Sequence, residues 1–177
     1  MTSVPGSSPR GPADLTGASL LADASRAAGT PQPVITVLQS ALAAEEAASY
    51  GYGVVGAQLP QGSAEQAAAT TDWVAHMRAR DRLSTLITAR GATPVPAAVA
   101  YRLPLPVRTP AAARSLAATL EDRVAQAYLA LVALPDRSLR SFGAKQVRAA
   151  ALRAQAWRGS VQAFPGLPGK SDALGDP

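Results

Sequence analysis

The chain contains no cysteine and a single histidine. Without cysteine there is no disulfide, no thiolate nucleophile and no thiolate ligation of zinc or iron–sulfur clusters. One histidine also rules out the two-histidine zinc motifs. Aromatic residues make up only 5% of the chain, which argues against a β-sandwich, whose strands favour bulky and branched side chains. No stretch approaches the run of about 18 apolar residues that a membrane span needs. The opening "MTSVPGSSPRGPADLTG" has no apolar core of signal-peptide length. No G-x-G-x-x-G or P-loop pattern is present. These absences lead to the expectation of a soluble, cytoplasmic protein with no membrane partner.

What the chain has instead is small apolar residues. Hydrophobic residues reach 47% over 177 positions, and much of that share is alanine. This composition suits closely packed helices, and the length suits one domain with a single core. The net charge is +5, unevenly placed. Residues 34–75 carry Glu45, Glu46, Glu65 and Asp72 and no basic residue. Residues 136–158 carry Arg137, Arg140, Lys145, Arg148, Arg153 and Arg158 against Asp136. The simplest expectation is a basic helix lying against an acidic one. Nucleic-acid binding is disfavoured, because the basic stretch has no interleaved aromatics and no lysine cluster.

Gly, Pro and Ser crowd residues 1–12, so residues 1–33 are expected to be a flexible tail, with a short helix over 13–28. Residues 34–159 carry four long helical patterns. The first runs from about Val34 to Leu59 and stops at Pro60. The second opens at Ser63-Ala64-Glu65-Gln66, a capping-box pattern, and ends at Gly91. The third opens at Thr109-Pro110, an N-cap followed by proline, and ends before Pro135. The fourth opens at Asp136 and ends at Gly159, and residues 160–177 form a Pro/Gly-rich tail.

The links between these segments imply topology. Helices 1 and 2 are joined by a few residues, and helices 3 and 4 by Pro135, so each pair is expected to be an antiparallel hairpin. The middle link, "ATPVPAAVAYRLPLPVR", is proline-rich. At about 3.1 Å per residue it reaches the length of a long helix at about 1.5 Å per residue. The expected fold is all-α: a ferritin-like antiparallel four-helix bundle with a long crossover between helices 2 and 3.

Heptad-like stripes on these helices carry polar exceptions. The stripes read Leu38, Leu42, Glu45, Ser49, Tyr52 on helix 1, and Trp73, His76, Arg80, Leu83, Ile87 on helix 2. On helix 3, Glu121 and Tyr128 stand among Ala117, Leu120, Val124 and Leu131. On helix 4 the stripe is Leu139, Phe142, Gln146, Ala149, Arg153, Trp157. Glu45, His76, Arg80, Glu121 and Arg153 are therefore expected to meet as a buried polar network, since buried charges persist only when paired or bound to metal. Tyr52 and Tyr128 share the stripes of the two acids and are expected to join it. Small residues at Ser49, Gly53, Gly56 and Ala57 suggest close helix approach, within the bundle or across a homodimer.

The segments "ALAAEEAASYGYGVVGA", "HMRARDRLSTLITARGATPVPAAVAY", "LAATLEDRVAQAYLALVA" and "WRGSVQAFPGLP" together resemble a ferritin-like family of high-GC bacteria, a domain of unknown function, over about residues 35–168. The resemblance implies the four-helix bundle and no established activity. The wider ferritin-like class holds two metals with a Glu from each of two helices and Glu-x-x-His from the other two. Here Trp73 stands where that Glu would precede His76, and helix 4 has neither Glu nor His.

Two readings of the centre follow. Glu45, His76 and Glu121 have the composition of a facial triad, which would take iron or manganese and make a metal-dependent oxidoreductase. The favoured reading is a salt network without a cofactor in a non-catalytic structural or interaction module, with the arginines satisfying the carboxylates. A third reading is a small-anion binder using Arg80 or Arg153. The expected partner is a second copy of the chain, with no protein partner identified by the sequence.

Overall fold

The protein, seen in a computed structural model, is described over residues 34–104 and 106–159, together with the backbone of residues 13–14. The tails lie otherwise outside the described residues. Among the described residues four helices carry the fold: α1 (Val34–Gln58), α2 (Ala64–Thr88), α3 (Pro110–Val132) and α4 (Arg137–Arg158). None is long and apolar enough to cross a membrane. Two short strands, β1 (Ala13–Asp14) and β2 (Tyr101–Arg102), pair in parallel, so the helix expected over 13–28 does not include its first two residues. The extended crossover offers unpaired amides there, and pairing with a passing chain satisfies them.

Local chemistry sets the helix ends. The Ser63 side chain accepts from the Gln66 amide, and Gln66 Oε1 accepts from the Gly62 amide at 2.8 Å. Thr109 accepts from the Ala112 amide with proline in the first turn. Asp136 accepts from the amides of Ser138 and Leu139. Gly159 ends α4 at φ +75°, a left-handed conformation that glycine adopts without steric cost. Each cap satisfies backbone groups that a helix end leaves without partners.

The segment between α2 and α3 is pinned along α1. Gln39 donates to the Thr93 carbonyl at 2.7 Å and accepts from the Val95 amide at 3.0 Å. Further on, the Tyr101 ring lies 5.4 Å from that of Tyr50, and Leu103 and Val107 pack near Tyr52, Val55 and Leu59. Packing contacts join α1 to α2, α3 to α4, and α1 to α3.

The core divides into two apolar clusters. One gathers Leu38, Leu42, Leu83, Ile87, Val124, Tyr128, Leu131 and Leu139. The other gathers Tyr52, Val55, Leu59, Leu116, Leu120 and Trp157. On α1, α2 and α3 the polar residue lies between members of the two clusters: Glu45 between Leu42 and Tyr52, and, in the reverse order along the chain, His76 between Ala69 and Leu83 and Glu121 between Leu120 and Val124. The polar centre therefore sits where the two clusters meet.

Close approach occurs at glycines other than those expected. A Cβ on Gly51 would stand 2.5 Å from a Leu120 methyl. One on Gly143 would stand 2.8 Å from Leu131 Cβ and 3.1 Å from the Tyr128 carbonyl oxygen. Gly53 and Gly56 face open space, which removes them from packing within the described residues. The basic helix finds its acids on α3 rather than on the acidic stretch of α1 and α2. Arg153 meets Glu121, and Arg158 meets Asp122.

Candidate functional site

Among the described residues two carboxylates and one imidazole are wholly buried: Glu45 at 0% exposure, His76 at 1% and Glu121 at 0%. They form one line. His76 Nδ1 lies 2.7 Å from Glu45 Oε2, and His76 Nε2 lies 2.9 Å from Glu121 Oε1. A tyrosine closes each end. Tyr128 donates to Glu45 Oε1 at 2.7 Å, and Tyr52 donates to Glu121 Oε1 at 2.7 Å. The bonds are reciprocal between helices. Glu45 of α1 takes the hydroxyl of α3, and Glu121 of α3 takes the hydroxyl of α1. Each acid precedes its own tyrosine by the same seven positions, two helical turns, which keeps both on one face.

Carboxylate oxygens only accept, so bonding to one from each ring nitrogen requires the imidazolium form of His76. Burial disfavours that charge, but the hydrogen bonds and charges of Glu121 and Glu45 outweigh it and raise the His76 pKa to about 9. Glu121 shows the counterpart. Burial raises its pKa, but His76 and Arg153 together bring it below the ordinary carboxylate value. Burial and the neighbouring carboxylates push the Tyr52 and Tyr128 hydroxyls upward, so both stay protonated donors.

Arg153 enters from α4, donating from Nε to Glu121 Oε1 at 2.8 Å. Burial works against its charge, and the Glu121 carboxylate more than restores it. Two carboxylates, one imidazolium and one guanidinium thus make a neutral quartet, wholly buried but for the 18% exposure of Arg153, and neutrality is the condition under which buried charge is tolerated. The arrangement is lopsided. Glu121 Oε1 takes donors from His76, Tyr52 and Arg153, while Glu121 Oε2 is buried without a hydrogen-bond partner among the described residues.

Of the residues expected at the centre, Arg80 is not there. Its side chain is 37% exposed and bonds the neighbouring Asp81 through Nε at 2.9 Å and an Nη at 2.8 Å. Its charge also reaches Glu46 on α1, whose carboxyl burial raises and Arg80 and Tyr101 lower. The buried stripe of α2 runs Ala69, His76, Ala79, Leu83, Ile87, keeping three residues of the expected stripe, with Ala79 buried in place of Arg80. At about 100° per residue, Trp73 and Arg80 lie on one flank of the His76–Leu83–Ile87 stripe and Asp72 and Ala79 on the other, and the first flank is the outward one. Trp73 is 38% exposed.

Asp72 stands on the inward flank, four residues before His76 and therefore on its face. Trp157 donates its indole N–H to Asp72 Oδ2 at 2.9 Å, and the Tyr52 hydroxyl lies 3.4 Å from the same oxygen. Burial raises the Asp72 pKa, with the Trp157 bond opposing it. The i, i+4 spacing to His76 was the available signal for this residue. The Tyr52 ring links the parts, its centroid 5.0 Å from His76 and 6.3 Å from Trp157.

As a donor set for metal, the described residues offer no group of three or more His, Cys, Asp and Glu in coordinating arrangement. Both His76 nitrogens, both oxygens of Glu45 and Oε1 of Glu121 are already engaged within the line. A cation at Glu45, His76 and Glu121 would require His76 to lose a proton and release a carboxylate.

A family model described as "Domain of unknown function (DUF4439)" matches residues 37–169. The structure is similar to that of a conserved hypothetical protein, rv2844, from Mycobacterium tuberculosis. The identity is 33% and the TM-score 0.67, with 70% of this chain and 93% of that one covered. No curated protein matches the chain. The chain belongs to the DUF4439 family of domains of unknown function.

Proposed function

We propose that the protein is a ferritin-like, antiparallel four-helix bundle in which a buried Glu–His–Glu–Arg network occupies the place of a di-metal centre. In this reading it works as a non-catalytic structural or interaction module of the cytoplasm, its bundle spanning residues 34–159. The crossover pinned along α1 by Gln39 and Tyr50 supports the ferritin-like connection. The reciprocal Glu45–Tyr128 and Tyr52–Glu121 bonds support opposite directions for α1 and α3.

One observation carries the reading of the centre: His76 is bonded at both ring nitrogens by carboxylates, and Arg153 lies on one of them. Such a donor set does not fit a dinuclear carboxylate centre, which needs six ligands and no neighbouring guanidinium. Elemental analysis of purified protein is expected to find far less than one equivalent of iron, manganese or zinc. Stoichiometric metal that disappears in Glu45→Ala overturns the reading.

The competing reading is a metal-dependent oxidoreductase on Glu45, His76 and Glu121. It is favoured by Glu121 Oε2, a buried acceptor without a donor among the described residues, and the same metal analysis decides it. The expected partner is a second copy of the chain seated on α1 at Gly53 and Gly56, where a Cβ would meet nothing within 4 Å. Light scattering should then show a dimer that Gly53→Leu dissociates with its helicity intact. A dimer that survives the substitution counts against this face.

A further inference from the structure

Helices α2 and α4 face each other across a cleft of about 640 Å³. Its walls are apolar and small: Ala64, Ala68, Ala156 and Leu152, the last 54% exposed. At its inner end stand Asp72, Arg153 and Trp157, the residues through which the buried network approaches the surface. The Glu65–Arg114 ion pair, at 3.0 Å, marks the outer rim.

Hydrogen-bonding capacity is left over at the inner end. Among the described residues Arg153 donates only from Nε, to Glu121, leaving both Nη groups for another acceptor. Asp72 accepts through Oδ2 from Trp157, and its Oδ1 has no hydrogen-bond donor among the described residues. The two charges act on one another yet make no ion pair within 4.0 Å among those residues. A cation and an anion thus stand apart at the base of an apolar cleft, each with free valences.

This pattern selects among ligand classes. A simple anion would satisfy Arg153 but face Asp72, and the charge of Arg153 already balances the buried Glu121. A simple amine would satisfy Asp72 but face the guanidinium. A zwitterion adds no net charge and meets both groups: the guanidinium fork suits a carboxylate, and the carboxylate of Asp72 suits an ammonium. The alanine and leucine walls suit a short aliphatic side chain.

We propose that the α2–α4 cleft binds a free aliphatic α-amino acid, its carboxylate on the Nη groups of Arg153 and its ammonium on Asp72. This goes beyond the module reading, and its assay is independent of metal content. Isothermal titration calorimetry on the whole chain would use L-leucine and L-valine as probes. Two fragments of leucine separate the contributions: 4-methylpentanoate lacks the ammonium, and 3-methylbutylamine lacks the carboxylate.

An amino acid is expected to bind and to raise Tm with concentration, with each fragment weaker by about tenfold or more, the cost of leaving a charged partner unmet. Asp72→Asn should weaken amino-acid binding to the level of 4-methylpentanoate. Ala156→Trp fills the cleft from the surface and removes no member of the quartet, so it decides the matter if Asp72→Asn fails to fold; it should abolish binding with helicity unchanged. The proposal is overturned if neither amino acid binds at about 10 mM, well above the millimolar range of weak specific binding. It is equally overturned if 4-methylpentanoate binds as tightly as L-leucine, or if Ala156→Trp binds unchanged.

Discussion

Raising the pH from 6 to 9 should remove a large part of the stability of this fold, through one residue. In the unfolded chain His76 titrates near its ordinary value of 6.5, and in the folded chain near 9. Between these values the folded chain holds a proton that the unfolded chain has released, so stability falls as pH rises. The contribution is fully present below pH 6.5 and is lost as pH passes through about 9. At about 1.4 kcal/mol per pKa unit, the shift is worth about 3 kcal/mol, against about 5–15 kcal/mol for a typical domain. Tyr52 and Tyr128 are pushed upward and titrate above this window. Because the chain has one histidine, its imidazole NMR signals report the folded pKa directly. Urea unfolding at about pH 6, 7.5 and 9 reports the stability. An imidazole that titrates at or below 6.5, or a stability that is flat across the window, refutes the two-carboxylate account of His76.

Further expectations concern packing and the line's ends. Gly143→Ala should be the costliest of three glycine substitutions, because its Cβ meets the Tyr128 carbonyl oxygen and the Val132 nitrogen, which are backbone atoms. Gly51→Ala meets a Leu120 methyl and should cost about 1–3 kcal/mol. Within one chain a Cβ at Gly53 meets nothing within 4 Å, so Gly53→Ala should leave the monomer's stability unchanged or raise it by up to about 1 kcal/mol, and chemical denaturation at concentrations where the chain is monomeric orders the three. Tyr128→Phe leaves Glu45 Oε1 without its donor and should cost about 1–3 kcal/mol. Tyr52→Phe removes one of three donors from Glu121 Oε1 and should cost less. Equal costs in the two tyrosine variants would contradict this count of donors. As pH falls, the Glu121 contribution should also be lost, since its depressed carboxyl stabilises the fold only while ionised. Acid titration of unfolding, compared with Glu121→Gln, reads that loss.

The features legible in the sequence were those set by neighbours along the chain. Ser63, Thr109-Pro110, Asp136 and Gly159 each cap a helix end through atoms within a few residues. Glu45, Tyr52, Glu121 and Tyr128 were legible because two-turn spacing keeps them on the apolar stripes of α1 and α3. Arg80 and Trp73 were misplaced because α2 is rich in alanine, whose small side chain marks neither face strongly. Trp73 and Arg80 flank the His76–Leu83–Ile87 stripe on one side and Asp72 and Ala79 on the other, and nothing along the chain says which flank faces the core.

The sequence by itself determined that the described chain would be helical, where its helices begin and end, and that buried acids and a histidine would need partners. Only the tertiary structure decided which partners they took: His76 between two acids, the tyrosines exchanged between α1 and α3, Arg153 rather than Arg80 beside Glu121, and Gly51 rather than Gly53 at the close approach. The physical reason is range. A cap or a stripe depends on backbone geometry over a few residues. A hydrogen bond from α4 to α3, or a gap between α2 and α4, depends on the rotation of each helix about its axis, which packing sets only when all four are in place.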